Sequence, residues 1–323
     1  MTNSEPVRRP PSLVDPIFPL AKLAGERPEP PRWFDDALQI KPERSFYVVD
    51  GVEIELLTWG KIGNPGLLFG HGYAGHADWW GFVAPFFAEQ YRCASFSLSG
   101  MGRSGHRPDH RYSTAAWARE MESAVAAASL DASGTPPVIV AQSMAGLVAA
   151  RLLASNGSFG GLIAIDSGFN LSDTPERDNT LIIQGHRNRL FSTVADALAR
   201  YRLSPDQDCA NLYVLDHLAR LSLRERDGGW SWHLDPKMVT EFNQYWRKEE
   251  LRQLPCPVSY IFGERSSLVA HRIDELKDSF APSTKFIGIP DADHNVLADQ
   301  PIALIVAIRA VLESWRTCAP RPR

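Results

Sequence analysis

Cysteine is scarce in this chain of 323 residues, and the four present, Cys93, Cys209, Cys256 and Cys318, stand far apart. No C-x-x-C pair occurs, which argues against a zinc ribbon or a redox dithiol and leaves buried or indifferent thiols. A long apolar run is missing as well. Arg8, Arg9 and Lys22 flank proline-broken segments rather than an apolar stretch, so neither a signal peptide nor a membrane span is expected, and a cytoplasmic location follows. Nor is there an excess of positive charge: 34 Lys and Arg stand against 38 Asp and Glu, a net charge of −4. Without a broad basic field, neither a nucleic acid nor an anionic membrane is an expected partner. What the chain does have is apolar bulk, 44% hydrophobic residues with 9 Trp and 15 Phe. That composition suits a folded globular protein and excludes a disordered, collagenous or coiled-coil one. The length fits two units, or one α/β domain carrying an insertion.

Residues 1–32 hold eight of the 24 prolines, a density that supports neither a helix nor a paired strand. This arm, taken as 1–44, is expected to be disordered or to wrap the surface. From Ser45 the texture changes. Ser45–Val49 and Val52–Trp59 alternate around Asp50-Gly51, the strongest short-range hairpin signal, so the core should begin with an antiparallel pair. Beyond it, short apolar runs (Gly66–Gly70, Cys93–Leu98, Val138–Ala141, Gly161–Ile165, Val258–Phe262 and Lys285–Ile289) alternate with helical stretches at Asp78–Glu89, Thr114–Ser129, Met144–Ala154 and Pro301–Trp315. This is the pattern of a mostly parallel sheet with crossover helices on both faces. The interval from Ile165 to Val258 is too long for one crossover. Helical patterns at Leu190–Tyr201, Asn211–Leu221 and Pro236–Arg247 suggest an inserted helical lid over 168–254, with the core formed by 45–167 and 255–317.

The sharpest local feature is Val138-Ile-Val-Ala-Gln-Ser143-Met-Ala-Gly-Leu, a β-branched strand, a turn and an alanine-rich helix. A nucleophile elbow needs this context, because a strained turn lifts the serine while strand and helix approach closely enough to demand small neighbours. Here those neighbours are Ala141 and Ala145, followed by Gly146, so the usual G-x-S-x-G is degenerate but its steric reason survives.

On these residues the chain resembles the α/β-hydrolases, from about Ser45 to Trp315. His71-Gly72-Tyr73 after the third strand is similar to the family's H-G-x oxyanion loop, and Ser99–Gly105 after the fourth to its G-x-G-x-S turn. Ser143 sits at the elbow, and Asp293-His294 follows the last strand. The segment Gly100–Gly105 also fits the dinucleotide fingerprint G-x-G-x-x-G, but Pro108 prevents the immediate helix whose N-terminus would meet a pyrophosphate. His106 and His110 invite a metal by spacing alone. Pro108 between them opposes the helical turn that would align the rings, so a solvated loop is expected there and no metal or organic cofactor is called for.

The resemblance implies Ser143 as nucleophile, His294 as its base, and the backbone amides of Tyr73 and Met144 as oxyanion donors. The acid departs from the family's pattern. After Val258–Phe262 an Asp usually stands a few residues past a Gly, but Gly263-Glu-Arg-Ser-Ser-Leu268 offers serines instead. Two carboxylates can fill the role: Asp166, matching relatives that take the acid from the strand before the lid, and Glu264 as the alternative. A serine at the elbow disfavours the aspartate-nucleophile dehalogenases and epoxide hydrolases. Hydrolysis of a carboxylic ester, or of a related thioester, lactone or amide, through an acyl-enzyme is expected, on a small, partly apolar molecule. C–C bond hydrolysis of meta-cleavage-type dienoates and a catalytically inactive ligand-binding member are the alternatives. Among the lid's aromatics, Trp230, Trp232 and Tyr245 are candidates for the substrate pocket, unless they form only the lid's own core.

Overall fold

The computed structural model describes residues 18–155, 158–172, 181–184, 189–242 and 245–318. Residues 1–17 of the proline-rich arm, and His186 and Arg187 of the insertion, lie outside the described residues. Eight strands form the central sheet: β1 Glu43–Val49, β2 Val52–Trp59, β3 Gly66–Gly70, β4 Arg92–Phe96, β5 Val138–Gln142, β6 Gly161–Ile165, β7 Val258–Gly263 and β8 Lys285–Ile289. Their order is β1-β2-β4-β3-β5-β6-β7-β8. β1 pairs antiparallel with β2 across the Asp50-Gly51 turn, where both residues take positive φ, and β2 pairs antiparallel with β4. Every remaining pairing is parallel.

Alternation along each strand splits the core in two. Leu67 and Phe69 of β3 join Val140, Ile163 and Ile261 on one face, under Leu304, Ile308 and Val311 of the helix Pro301–Cys318. Leu68, Ile139, Ala164 and Tyr260 point to the other, where Trp117 and Met121 of the helix Thr114–Ala127 and Leu147 of Met144–Ser155 cover them. The apolar runs of β3, of Val138–Ala141 in β5 and of β6 follow from burial on both faces. Among the described residues no helix is long and apolar enough to cross a membrane.

Three local expectations are corrected. Asp78–Glu89 is not an α-helix but two 3-10 turns, Ala77–Trp80 and Ala84–Phe86. Pro85 has no N–H to donate and Gly81 favours the break, so the helix cannot propagate. The insertion over 168–254 is not wholly helical. It carries helices at Val194–Leu198, Leu212–Leu221 and Lys248–Arg252, and also a hairpin of Leu223–Arg226 with Gly229–Trp232. Asp227 and Gly228 both have positive φ there, the signal already read at 50–51. Within Pro236–Arg247, Val239–Phe242 is a strand, paired parallel with Arg111–Ser113 and antiparallel with Leu181–Gln184, because its β-branched, alternating residues meet waiting edges. Finally, the end of the arm, expected to be disordered or to wrap the surface, does the latter and includes a helix: Arg32–Gln39 sets Phe34 against Phe82 of the core and Tyr213 of the insertion, at centroid distances of 5.1 and 5.0 Å.

Candidate active site

The carboxyl ends of β3, β5, β6 and β8 bring together residues far apart in sequence. Ser143 follows β5 with φ of +53°, a left-handed conformation that non-glycine residues seldom adopt and that lifts its side chain off the strand. Close packing explains the small neighbours. A Cβ at Gly70 would lie 2.9 Å from that of Ala145, and one at Gly146 would lie 2.0 Å from Ser167 Oγ. A larger residue on either side would push the elbow out of place.

The Ser143 hydroxyl donates to His294 Nε2 at 2.9 Å, and His294 Nδ1 donates to Asp166 Oδ1 at 2.8 Å. His294 and Asp166 are buried, at 2% and 0% exposure, which shields this line of hydrogen bonds from competing water. Asp166 is itself held on all sides. Ser266 Oγ donates to Oδ1 at 2.7 Å and the Gly263 amide to Oδ2 at 2.8 Å. Ser266 is one of the serines in Gly263–Leu268, and nothing in the local sequence marks it as a donor to a carboxylate at the end of the neighbouring strand. Glu264 is exposed, with its side chain over Gly288, and does not reach His294.

The His294 loop is tied to the insertion. Gln207 Oε1 accepts from the Asn295 backbone amide at 2.9 Å and from its side-chain amide at 2.7 Å, while Gln207 Nε2 donates to Asp299 at 2.8 Å. Across the site, the His71-Gly72-Tyr73 loop lies against Ser143: a Cβ on Gly72 would come within 3.1 Å of the serine's Cβ. His71 fixes this loop by accepting from the Leu98 amide at 3.0 Å and donating to the Gly72 carbonyl at 2.7 Å. Complete burial pushes its pKa down to about 3, so it serves as a neutral spacer rather than a base. Among the described residues, the Tyr73 and Met144 amides donate to no protein acceptor.

A cavity of about 350 Å³ opens at Ser143 and His294, walled by Trp79, Met144, Leu147, Phe242 and Leu268. A second, of about 310 Å³, adjoins it through Tyr73, Trp79 and Ser204 and carries Arg189, Arg200 and Arg202. Of the three lid aromatics, Trp232 lines the second cavity. Trp230 instead pairs with Phe191 and packs on the core, while Tyr245 pairs with Asn170, so neither reaches these cavities. Gly100–His110 forms turns, with no helix directly after Gly105.

A model described as the alpha/beta hydrolase family matches residues 67–308. The esterase Rv0045c of Mycobacterium tuberculosis (strain ATCC 25618 / H37Rv) is 26% identical over 275 residues, 81% of this chain and 87% of its own. A crystal structure of that esterase superposes with a TM-score of 0.60 at 20% identity, covering 94% of this chain and 100% of the other. The thioesterase domain from the curacin biosynthetic pathway gives a TM-score of 0.66 at 21% identity, with coverage of 83% and 99%.

Proposed function

Because the chain belongs to the alpha/beta hydrolase family, we propose that it is a serine hydrolase cleaving carboxylic esters, or related thioester, lactone or amide bonds, of small and partly apolar molecules. The observation that carries this reading is the unbroken series from Ser143 through His294 to Asp166, at 2.9 and 2.8 Å. In it the serine hydroxyl passes its proton to His294 Nε2 as Oγ attacks the substrate carbonyl. Negative charge gathers on the carbonyl oxygen, where the Tyr73 and Met144 amides stabilise it. Asp166 holds the imidazolium formed meanwhile and keeps the Nδ1–H tautomer. Collapse expels the alcohol, which takes the proton from His294 and leaves an acyl-serine. Water then attacks the acyl carbon as it gives a proton to His294, and His294 returns that proton to Ser143 Oγ as the acid leaves.

The apolar wall of Trp79, Leu147 and Phe242 supports a small hydrocarbon part next to the scissile bond. Arg202 is paired with Asp206 in the adjoining cavity, and the other two arginines there, Arg189 and Arg200, favour a substrate with a carboxylate at its far end, a feature that a hemi-ester and a dienoate share. This observation keeps C–C bond hydrolysis as the second reading. Fluorophosphonate labelling tests the first: wild type should be modified at Ser143 and Ser143→Ala should not. Initial rates on a neutral ester, a dicarboxylic hemi-ester and a dienoate then separate the two, and an unlabelled wild-type protein inert to all three would refute both.

A further inference from the structure

Away from the Ser143 site, the loop after β4 meets the insertion at Asp235. Its carboxylate is fully buried and held in a fixed orientation, with the Tyr112 hydroxyl donating to Oδ2 at 2.7 Å and the Lys237 amide to Oδ1 at 2.9 Å. Two imidazoles face the same group. His110 Nδ1 lies 2.6 Å from Oδ2 and His106 Nδ1 3.9 Å from Oδ1, while the two side chains remain 32% and 29% exposed. His110 has φ of +57°, an uncommon backbone state that turns its ring toward the carboxylate. Pro108 keeps the pair off a helix, yet the turn it sits in sets both rings around one point.

We propose that His106, His110 and Asp235 form a binding site for a divalent transition metal ion of the zinc type, joining the core loop to the insertion. The potential ligand atoms of the three already lie within 4.8 Å of one another. Zinc–nitrogen and zinc–oxygen bonds of about 2.0–2.2 Å in a tetrahedral site separate neighbouring ligand atoms by roughly 3.5 Å. His106 is therefore near its final distance from Asp235, and His110 has to withdraw by under about 1 Å, replacing its hydrogen bond with the ion. Two imidazoles and one carboxylate suit zinc, nickel or cobalt, whereas magnesium and calcium prefer sets made of oxygen alone. Tyr112 and Lys237 supply the outer hydrogen bonds that orient a ligating carboxylate. The exposed sides of both rings leave an entry path and room for water as a further ligand. Arg224 and Arg226 stand near His106 and oppose a cation, which calls for modest rather than very tight affinity.

The location gives such binding a mechanical consequence. The Asp235 amide donates to the Gly100 carbonyl, the Gly102 amide donates to the His233 carbonyl, and Met101 bridges to Leu234. His233 and Leu234 in turn line the second cavity. An ion at Asp235 would fasten the seam that supports that wall.

Full-length protein, stripped with a chelator and exchanged into metal-free buffer, is titrated with zinc sulfate by calorimetry and melted with and without saturating zinc. Wild type should bind one equivalent and melt a few degrees higher with zinc, since a ligand bound only by the folded state raises its stability. Each of His106→Ala and His110→Ala should weaken binding at least tenfold, and the double variant should lose both the binding and the shift. His294→Ala should retain both, which distinguishes this site from the Ser143–His294 pair. His110→Gln, which keeps a hydrogen bond to Asp235, guards against a folding defect: it should melt like wild type without zinc and bind the ion at least tenfold more weakly. No binding to wild type, or unchanged binding in the double variant, would overturn the proposal.

Discussion

Replacing Asp166 with asparagine is the sharpest test of the arrangement around His294, because its geometry leaves the amide no good orientation. The carboxylate accepts on both oxygens: from His294 and Ser266 at Oδ1, and from the Gly263 amide at Oδ2. An asparagine that turns its oxygen toward His294 puts its NH2 against the Gly263 N–H. Two donors then face each other in a buried site, an arrangement costing about 1–3 kcal/mol. Turned the other way, its NH2 faces His294 Nδ1 and forces the proton to Nε2, where it can no longer accept from Ser143. Either way the negative charge beside the developing imidazolium is lost, worth ~4 kcal/mol for charges about 4 Å apart in a partly shielded site. At 1.4 kcal/mol per tenfold this alone reaches ~10³ in rate, and the wrong tautomer brings the loss toward the ~10⁴ seen for the equivalent amide in serine proteases. Asp166→Asn should thus lower kcat by between ~10² and ~10⁴ near neutral pH, whereas Glu264→Gln should lose less than about tenfold. The measurement is kcat on a chromogenic short-chain ester, with melting temperatures to show that both variants fold. Asp166→Asn retaining more than about a tenth of wild-type kcat would refute the reasoning, and a larger loss in Glu264→Gln would move the role to that residue.

If Ser143 and His294 act as one unit, alanine at either should reduce kcat by ~10⁴–10⁶ and the double variant should be little worse, with multiplying losses counting against the assignment. Ser266→Ala removes one donor from Asp166 and should cost about tenfold in kcat with little change in melting temperature; an unaffected rate would mean that the Gly263 amide suffices. Trp79→Ala and Phe242→Ala should shift the preferred acyl or alcohol chain length, while Trp230→Ala should lower stability and leave the preference alone; the reverse would place the pocket elsewhere. A pH prediction follows from buried imidazoles. Burial pushes His71 down to about 3 and His217 to about 4, below the ordinary 6.5. The unfolded chain therefore binds protons before the folded one, so their contribution to stability is complete above pH 6.5 and is lost as pH falls toward those values. Each should cost on the order of 2 kcal/mol by pH 5, seen as a falling urea midpoint that flattens in His71→Asn; a flat wild-type profile from pH 7 to 5 would contradict it.

Strands of the sheet were legible because burial on both faces writes itself as continuous apolar runs, as in Val138–Ala141 and Gly161–Ile165. Ser143, His294 and Asp166 were legible because each ends or follows such a strand. Contacts made by residues with no periodicity were not. Gln207 and Ser266 are polar residues in loops, and only the folded chain brings them to Asn295 and Asp166. Val239–Phe242 was misread because four residues cannot distinguish a short strand from part of a helix, and its partners at Arg111–Ser113 lie more than a hundred positions away. His106 and His110 attracted notice by spacing, but the carboxylate that gives the pair its meaning comes from the insertion.

Having the carboxylate at Asp166 rather than after β7 changes which parts of the molecule can be redesigned. In the loop from Glu264 to Leu268, Ser266 bonds to Asp166, Arg265 to Asp291 and the Ser267 amide to Asp293, so Leu268 at the cavity wall is the natural target for altering substrate range. The insertion cannot be exchanged in the same way. It departs directly from Asp166 and returns through Gln207 to the His294 loop, so a transplanted cover would have to preserve the departure at 166–168 and supply a new brace for Asn295. A chimera that kept the cavity but dropped that brace would be expected to bind its ester normally and turn it over slowly.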